Sequence, residues 1–190
     1  IKLTLHDNLS SSLISLRKKQ LESGMPWMDA LTSANVLSLH VKTPRIIPLM
    51  FGPALNCLEK AEFEGVTEIG AGAFAFTGLP NDIDLSQVTK IGAFAFQLNN
   101  FLKEVTLTNI EEMGQAAFWV SPFLTKAVIG DYLTTIPVDA FCKCSRLKEV
   151  YVGKKVSQID TYAFATTDLD SNNSEYGLFM SAKAPQLGND

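Results

Sequence analysis

The chain has few of the residues that carry catalysis, redox chemistry or nucleic-acid binding. Its 190 residues include two histidines and three cysteines, and Asp and Glu outnumber Lys and Arg by 20 to 16. Neither His6 nor His40 stands in a nucleophile motif, and the sequence contains no G-x-S-x-G, no H-E-x-x-H and no phosphate-binding glycine loop. We therefore expect a protein that is not an enzyme and that needs no cofactor.

The sparse cysteines and basic residues exclude two further classes of protein. Cys57, Cys142 and Cys144 show neither a disulfide framework nor the paired spacing of a zinc site, so we expect reduced, structural thiols. The formal net charge is -4, and the basic clusters at 17–19 and 154–155 are short enough to be solvated surface. Because binding to nucleic acid needs many clustered Lys and Arg side chains, we predict no nucleic-acid partner.

Long apolar runs are missing as well. No run approaches the roughly 20 residues that cross a bilayer, so we predict no membrane span. A chain that begins Ile1-Lys2-Leu3 indicates a trimmed or mature form from which any export signal has been removed. With 46% hydrophobic and 19% charged residues, the whole chain is expected to fold.

The dominant feature of the sequence is a repeat. Anchor residues, most of them isoleucine, recur at steps of 22, 22, 23 and 23 residues, and an Ala-Phe pair follows each anchor at the same offset. Such a period indicates a solenoid. The anchors are Ile69, Ile91, Met113, Ile136 and Ile159, and the pairs are Ala73-Phe74, Ala95-Phe96, Ala117-Phe118, Ala140-Phe141 and Ala163-Phe164.

Each repeat continues with apolar residues about six, nine and eleven positions after its Phe, as at Leu102, Val105 and Leu107. The last two lie two residues apart and therefore share one face of a strand. We predict an α/β repeat, in the form of a right-handed leucine-rich-repeat solenoid. Its parallel β-sheet is concave, and short helical or turn segments form its convex side.

Small residues at two positions of the repeat are assigned to structure. Gly70, Gly92 and Gly114 follow their anchors and suit a tight bend that a Cβ would hinder. Three residues after each Phe stands a small polar or thiol side chain, which we expect to bond to turn backbone groups. These side chains belong to Thr77, Asn99, Ser121, Cys144 and Thr167.

Two degenerate coils lead the array, as a capped solenoid requires. In the nearer one, Gly52 takes the Phe position and Ile47-Pro48 corresponds to Ile136-Pro137, while the farther one supplies a strand at 36–41. Leucines at helical spacing predict an amphipathic helix from Asp7 to Ser23 that covers the first coil.

The last coil is interrupted. Residues 168–175 form a polar loop, before a last strand at Leu178-Phe179-Met180. We therefore expect an N-terminal helical cap at 1–35 and one continuous solenoid at 36–190.

The motif Ile-Gly-x-x-Ala-Phe-x-x-(Cys/Asn)-x-x-Leu-x-x-Val-x-Leu resembles the BspA-type leucine-rich repeat. Its clearest copies run from Ile91 to Leu107 and from Ile136 to Val152, and the ending Lys183-Ala184-Pro185-Gln186-Leu187-Gly188 is similar to the stretch that often closes such arrays. The resemblance covers residues 36 to 188. It implies a secreted or cell-surface bacterial protein that adheres to host or matrix proteins, and it transfers no catalytic residues.

The outward residues of the strands form the predicted binding surface. One row alternates largely in sign and predicts a ladder of ion pairs on a wet surface: Ser38, Lys60, Asp82, Glu104, Lys126 and Glu149. The next row holds the residues that we expect to contact a ligand: His40, Glu62, Asp84, Thr106, Val128 and Tyr151.

For two groups of acidic residues, the alternatives are a cation site and ordinary solvated surface. Glu62 and Asp84 are expected on adjacent strands about 5 Å apart, where like charges raise one carboxyl pKa or recruit a cation with His40 and Glu64. Solvation and the neighbouring lysines explain the same residues, and we predict no metal. The loop at 168–175 has alternate acidic residues, as a calcium loop has, but it lacks that loop's glycine and bidentate Glu.

An apolar stripe is expected on the convex side. It consists of Trp119 and Val120 with Phe76 and Leu98 at related positions. We interpret these side chains as packing between coils, with a partner surface as the alternative.

The sequence thus predicts a monomeric recognition or adhesion module that binds a host or matrix protein, or a glycan, through the concave face. One alternative is a structural spacer that presents another part of a larger surface protein. A cation-dependent site near His40, Glu62 and Asp84 is the third hypothesis.

Overall fold

A computed structural model describes residues 2–6, 36–51, 55–81, 83–169 and 178–180. Within these residues the chain forms short parallel strands joined by turns. The described residues contain no helix, and therefore no helix that is long and apolar enough to cross a membrane. The strands are β1 (Lys2–His6), β2 (Ser38–Lys42), β3 (Arg45–Ile46), β4 (Lys60–Phe63), β5 (Glu68–Ile69), β6 (Lys90–Ile91), β7 (Glu104–Leu107), β8 (Glu112–Met113), β9 (Lys126–Ile129), β10 (Thr135–Ile136), β11 (Glu149–Val152), β12 (Gln158–Ile159) and β13 (Leu178–Met180).

The strands belong to two series that alternate along the chain. The longer strands pair in the orders β1-β2-β4 and β7-β9-β11-β13, and these are the predicted strands of the solenoid. The two-residue strands pair in the orders β3-β5-β6-β8 and β10-β12, and each ends at an anchor position of the repeat. Every pairing is parallel and in register, and most coils contribute one strand to each series. The second, short-strand series was not predicted.

The segment after each short strand is a chain of turns, so the predicted helical alternative is wrong for the described coils. The N–H groups of Ala73 and Ala75 donate to carbonyls three residues earlier, at 3.2 Å in both cases. Those of Gly72 and Phe74 donate instead to the next coil, both at 2.8 Å. A helix would keep all of these bonds within the segment. The turn segment is therefore a further ladder between coils.

The core contains a stack of phenyl rings at the repeated Phe position. Successive ring centroids lie 4.9 to 5.7 Å apart, with interplanar angles of 18° or less. The alanines that precede the repeated rings are almost fully buried, which leaves little room for a larger side chain. The stacked rings belong to Phe51, Phe74, Phe96, Phe118, Phe141 and Phe164.

This stack corrects the alignment of the first of these coils. Phe51, not Gly52, takes the Phe position, since its ring stacks on Phe74 at 4.9 Å. The anchor is likewise Ile46, which pairs with Ile69, so Ile47-Pro48 does not correspond to Ile136-Pro137. The misalignment arose because one additional residue lies between Phe51 and the next strand.

The prediction for the glycines is confirmed, and that for the small polar and thiol side chains is confirmed in part. A Cβ added to Gly92 would lie 2.4 Å from the backbone nitrogen of Ala71. The glycine is therefore needed for the close approach of two coils, and not for an unusual φ angle. Of the side chains three residues after the Phe, four are buried and Thr167 is half-buried. Asn99 donates to the hydroxyl of Thr77 at 3.2 Å and not to the backbone. Thr77 donates to the carbonyl of Phe74 at 2.7 Å, and Ser121 donates to that of Phe96 at 3.3 Å.

Prolines mark the two places where the series are interrupted. The main-chain N–H after the anchor donates to the previous anchor in most coils, for example from Gly114 to Ile91 at 2.8 Å. Pro137 occupies this position in the next coil and has no N–H, which separates β8 from β10. Pro80 precedes the other break, where residues 83–86 form no strand. There the side-chain oxygen of Asn81 accepts the N–H of Lys103 at 2.8 Å.

The two ends of the array agree with prediction only in part. The predicted last strand is confirmed, because β13 pairs with β11. The predicted cap region contains a strand that was not anticipated, since β1 pairs with β2. The predicted helix at Asp7–Ser23, and the interruption from 170 onward, lie outside the described residues.

Close coil stacking gives a direct test with two glycines. We expect Gly92→Ala to lower the free energy of unfolding by at least ~2 kcal/mol, because the new methyl group meets the backbone of the preceding coil. Gly65→Ala is the matched control, since a Cβ there meets nothing within 4 Å although its φ is +70°. Its cost should stay near ~1 kcal/mol. Equal losses in chemical denaturation would contradict the stacking account.

Candidate functional site

The long strands present a surface that we call the strand face. It consists of the side chains at the first and third positions of β2, β4, β7, β9 and β11, while the residues between them are buried. The register confirms the predicted rows, with His40 beside Glu62, Thr106 beside Val128 and Val128 beside Tyr151. The members are Ser38, His40, Lys60, Glu62, Glu104, Thr106, Lys126, Val128, Glu149 and Tyr151.

The N-terminal part of the strand face is a cluster of paired charges. His40 lies between two carboxylates, with Nδ1 at 3.7 Å from Glu62 and Nε2 at 3.0 Å from Glu64. Lys60 pairs with Glu62 at 2.7 Å, and Lys42 pairs with Glu64 at 2.8 Å. These lysines hold the pKa of both carboxyl groups below their usual value. The cluster therefore satisfies its own charges.

The expected repulsion between Glu62 and Asp84 is wrong. Asp84 lies in no strand, and its carboxylate accepts the N–H of Ser86 at 2.8 Å. Hydrogen bonds from the hydroxyl and the N–H of Ser86 lower the pKa of Asp84, and Lys60 lowers that of Glu62, so neither carboxyl pKa is raised. The described residues also contain no group of three or more His, Cys, Asp or Glu side chains that could hold a metal ion.

The C-terminal part of the strand face contains an aromatic side chain between charged ones. The Tyr151 hydroxyl donates to Glu149 at 3.2 Å, and Nζ of Lys126 lies 5.5 Å from the centre of the Tyr151 ring. Partial burial and Glu149 raise the pKa of Tyr151 above its usual value. The hydroxyl is therefore kept as a neutral hydrogen-bonding group beside a cation.

The six predicted contact residues are not equally accessible. Thr106 and Asp84 are exposed, and His40, Glu62 and Tyr151 are half-buried. Val128 is buried, with 8% of its surface exposed, so a ligand would reach it only slightly. The structure thus places His40 beside Glu62 in one sheet, and Thr106, Val128 and Tyr151 side by side in another. Asp84 lies in the irregular segment between β5 and β6.

In the described part of the predicted ladder, oppositely charged residues lie at neighbouring register positions of adjacent strands. Lys126 is in register with both Glu104 and Glu149, while Asp82 lies outside the described residues. A ladder of tighter pairs lies on the short strands, where Arg45 contacts Glu68 at 2.6 Å and Lys90 contacts Glu112 at 2.7 Å.

The short-strand ladder borders a groove that sequence reasoning missed. The groove has a volume of about 520 Å³, and Gly70, Gly92 and Gly114 form part of its lining. Its signal was present in the sequence, because the residues before the anchors alternate in sign.

The remaining predictions for surface residues are confirmed in part. In the convex stripe, Leu98, Trp119 and Val120 are half-buried, as packing between coils requires, but Phe76 is exposed. Phe76, Leu98 and Val120 all have positive φ, a strained state for bulky residues that bonds to the next coil stabilise.

Two of the three cysteines are structural, as predicted. Cys142 and Cys144 are free and buried, and burial raises the pKa of Cys144 to about 12, which keeps it a thiol. Cys144 also donates to the carbonyl of Phe118 at 3.2 Å. Cys57 is free but exposed, so it has no such role in packing.

Comparison with known proteins supports the repeat assignment. The sequence profile of the BspA type leucine-rich repeat region matches residues 57–178 in six copies. No curated protein sequence matches significantly.

Two solved structures share the fold. The pneumococcal vaccine antigen PcpA is similar with a TM-score of 0.58 and 23% identity over 79% of this chain. A leucine-rich repeat protein from Bacteroides ovatus is similar with a TM-score of 0.59 and 23% identity over 69% of this chain. The chain spans 41% and 34% of the lengths of these two proteins.

The charge cluster predicts a measurable carboxyl titration. Glu62 should titrate below its usual pKa, and Lys60→Met should raise that pKa, because the largest cause of the shift is the hydrogen bond from Lys60. A lowered carboxyl pKa stabilises the fold above the ordinary pKa, and this contribution is lost as the pH falls through the folded value. Carboxyl-carbon NMR would measure the shift, with Lys90→Met as control. An unchanged Glu62 pKa in Lys60→Met would contradict the assigned contact.

Proposed function

Because the chain belongs to the BspA-type leucine-rich repeat family, we propose that it is a non-enzymatic recognition module that binds a protein or a glycan through the strand face. The observation that carries this proposal is the C-terminal part of that face. There Thr106, Lys126, Glu149 and Tyr151 are held in one register by three adjacent strands.

The strand backbone holds the side chains of this surface at fixed spacings. Neighbouring parallel strands lie about 4.8 Å apart, and the core beneath the face is fully buried at Val105, Ala127 and Val150. The outward side chains therefore start from fixed positions, which reduces the entropy lost on binding. Tyrosine is enriched at recognition surfaces, because its ring supplies apolar contact area and its hydroxyl forms hydrogen bonds.

The two parts of the strand face should differ in their contribution. In the N-terminal part, the carboxylates of Glu62 and Glu64 are already bonded to lysines and to His40. A ligand would have to break these pairs, so their net contribution to affinity is small. In the C-terminal part, Thr106 is exposed, and the ammonium group of Lys126 lies over the ring of Tyr151.

We further propose that the module acts outside the cell or at its surface. Its family resemblance supports this, and one structural neighbour is described as a vaccine antigen, which is consistent with exposure at a cell surface. Adhesion to host or matrix molecules is the corresponding biological role.

A spacer role is the second candidate. It is favoured by one observation, that the chain spans less than half of each of the two structural neighbours. A regular solenoid can present other parts of a protein without binding anything itself. The two candidates differ in whether substitutions on the strand face affect any ligand.

The experiment is an array of host proteins, matrix proteins and glycans probed with the purified chain, followed by variants. We expect Tyr151→Ala to weaken the ligand that is found by about tenfold or more, as loss of a central aromatic contact does. Glu112→Gln is the control, since Glu112 lies on the short-strand ladder. If no ligand is found, or if Tyr151→Ala and Thr106→Ala bind as the unaltered chain does, binding through the strand face is excluded.

A further inference from the structure

A second surface, away from the strand face, also has the composition of a binding site. It lies where the turn segment leads into the long strand, five residues after the stacked Phe. Three consecutive coils carry planar side chains at this position, namely Phe101, Phe123 and Arg146. We call these three residues the planar row.

The planar row is not part of the core. Phe101 is 57% exposed and Phe123 is 39% exposed, whereas Leu102 and Leu124 beside them are completely buried. The core at this level is therefore filled by the leucines. In the earlier coil the same position holds Leu79, which is buried. Two phenyl rings exposed on adjacent coils need an explanation other than packing.

The backbone holds the planar row in place. The N–H of Leu124 bonds to the carbonyl of Ser121 at 3.1 Å, which closes a turn with Pro122 and Phe123 at its centre. Arg146 occupies the same place in a turn closed by Leu147 and Cys144 at 2.9 Å. Ser121 and Cys144 are both fully buried. Phe123 and Arg146 are thus presented from hydrogen-bonded turns, and Phe101 directly precedes the fully buried Leu102.

Charge defines what this surface would bind. The guanidinium carbon of Arg146 lies 4.6 Å from the centre of the Phe123 ring, and among the described residues its side chain has no carboxylate partner. Lys103, two residues after Phe101, is exposed and likewise has no ion pair within the described part of the chain. Unpaired cations beside exposed rings fit a ligand that combines apolar faces with carboxylates.

We propose that the planar row is a binding site for acidic glycans whose sugars carry carboxylates. The C–H face of a sugar ring would stack on Phe101. Because Lys103 and Arg146 lie two coils apart, they would contact carboxylates of sugars two units apart. A pitch of about 4.8 Å between coils is comparable to the advance of one sugar unit, so a chain of sugars follows the row. The site is independent of the strand face and of the function proposed for it.

A single-stranded nucleic acid would offer similar groups but fits less well. The chain has a net charge of -4, and Asp168 already pairs with Lys148 beside the row at 3.7 Å. Polyphosphate binding depends on many clustered cations together, and the planar row has two such groups, Arg146 in the row and Lys103 beside it.

The test uses an oligosaccharide of galacturonic acid as the probe and follows backbone amide shifts of the full chain by NMR. We expect saturable shifts at Phe101, Phe123 and Arg146, and none with the neutral galactose oligosaccharide. Phe101→Ala and Arg146→Gln should each weaken binding about tenfold or more, as should Arg146→Lys, which keeps the charge but loses the planar group. Phe94→Ala is the control, because Phe94 is exposed on the turn segment and outside the row.

Several outcomes would overturn the proposal. These are no saturable shifts, shifts confined to the strand face, equal binding of the neutral oligosaccharide, or equal loss in Phe94→Ala. Tighter binding of an oligodeoxythymidine, with Arg146→Lys unaffected, would show a general attraction of anions instead. Because the mutated side chains are exposed, thermal unfolding of each variant should match that of the unaltered chain and identify any loss that comes from misfolding.

Discussion

Six phenyl rings, from Phe51 to Phe164, stack at spacings of 4.9 to 5.7 Å along the molecule. This spacing is close to that of hydrogen-bonded strands. The same distance between coils therefore allows the rings to stack, both series of strands to pair and the turn segments to form hydrogen bonds. Each coil must therefore come close to the next over its whole circumference. Glycine follows the anchor in three coils because a Cβ would meet backbone there. Small alanines precede the rings for the related reason that they are buried against the core.

The same constraint separates residues that stabilise the fold from those available for recognition. Positions that face inward are occupied by the rings, the leucines and the buried Thr77, Asn99, Ser121 and Cys144. Outward positions repeat at the coil spacing and can change from coil to coil without cost to the core. The paired charges around His40, the aromatic and charged group around Tyr151, and the planar row all occupy such positions. The scaffold thus presents several different surfaces at a common pitch.

The sequence predicted the parts of the fold that repeat, but not those that depend on backbone geometry. The spacing of Ala-Phe pairs was enough to place the long strands and the buried polar side chains. It could not separate Phe51 from Gly52, because an additional residue in that coil displaces the pattern. The short strands contain two residues each, too few for a periodicity, and turns with left-handed residues such as Phe94 and Val120 have no signature when glycine is absent. For the candidate site, the register of the rows was predictable, but the neutralisation of Glu62 by Lys60 and the burial of Val128 depend on side-chain directions.

Native-state hydrogen exchange tests most directly whether stacking between coils holds the molecule together. The amides of Phe74, Phe96, Phe118 and Phe141 each donate to the next coil at 2.8 Å from within the ring stack. They should exchange as slowly as the amides of the long strands, near the limit set by global unfolding. If these four amides exchanged much faster than those of β7, β9 and β11, the turn segments would open independently of the sheets. The ring stack would then not be the interaction on which the fold depends.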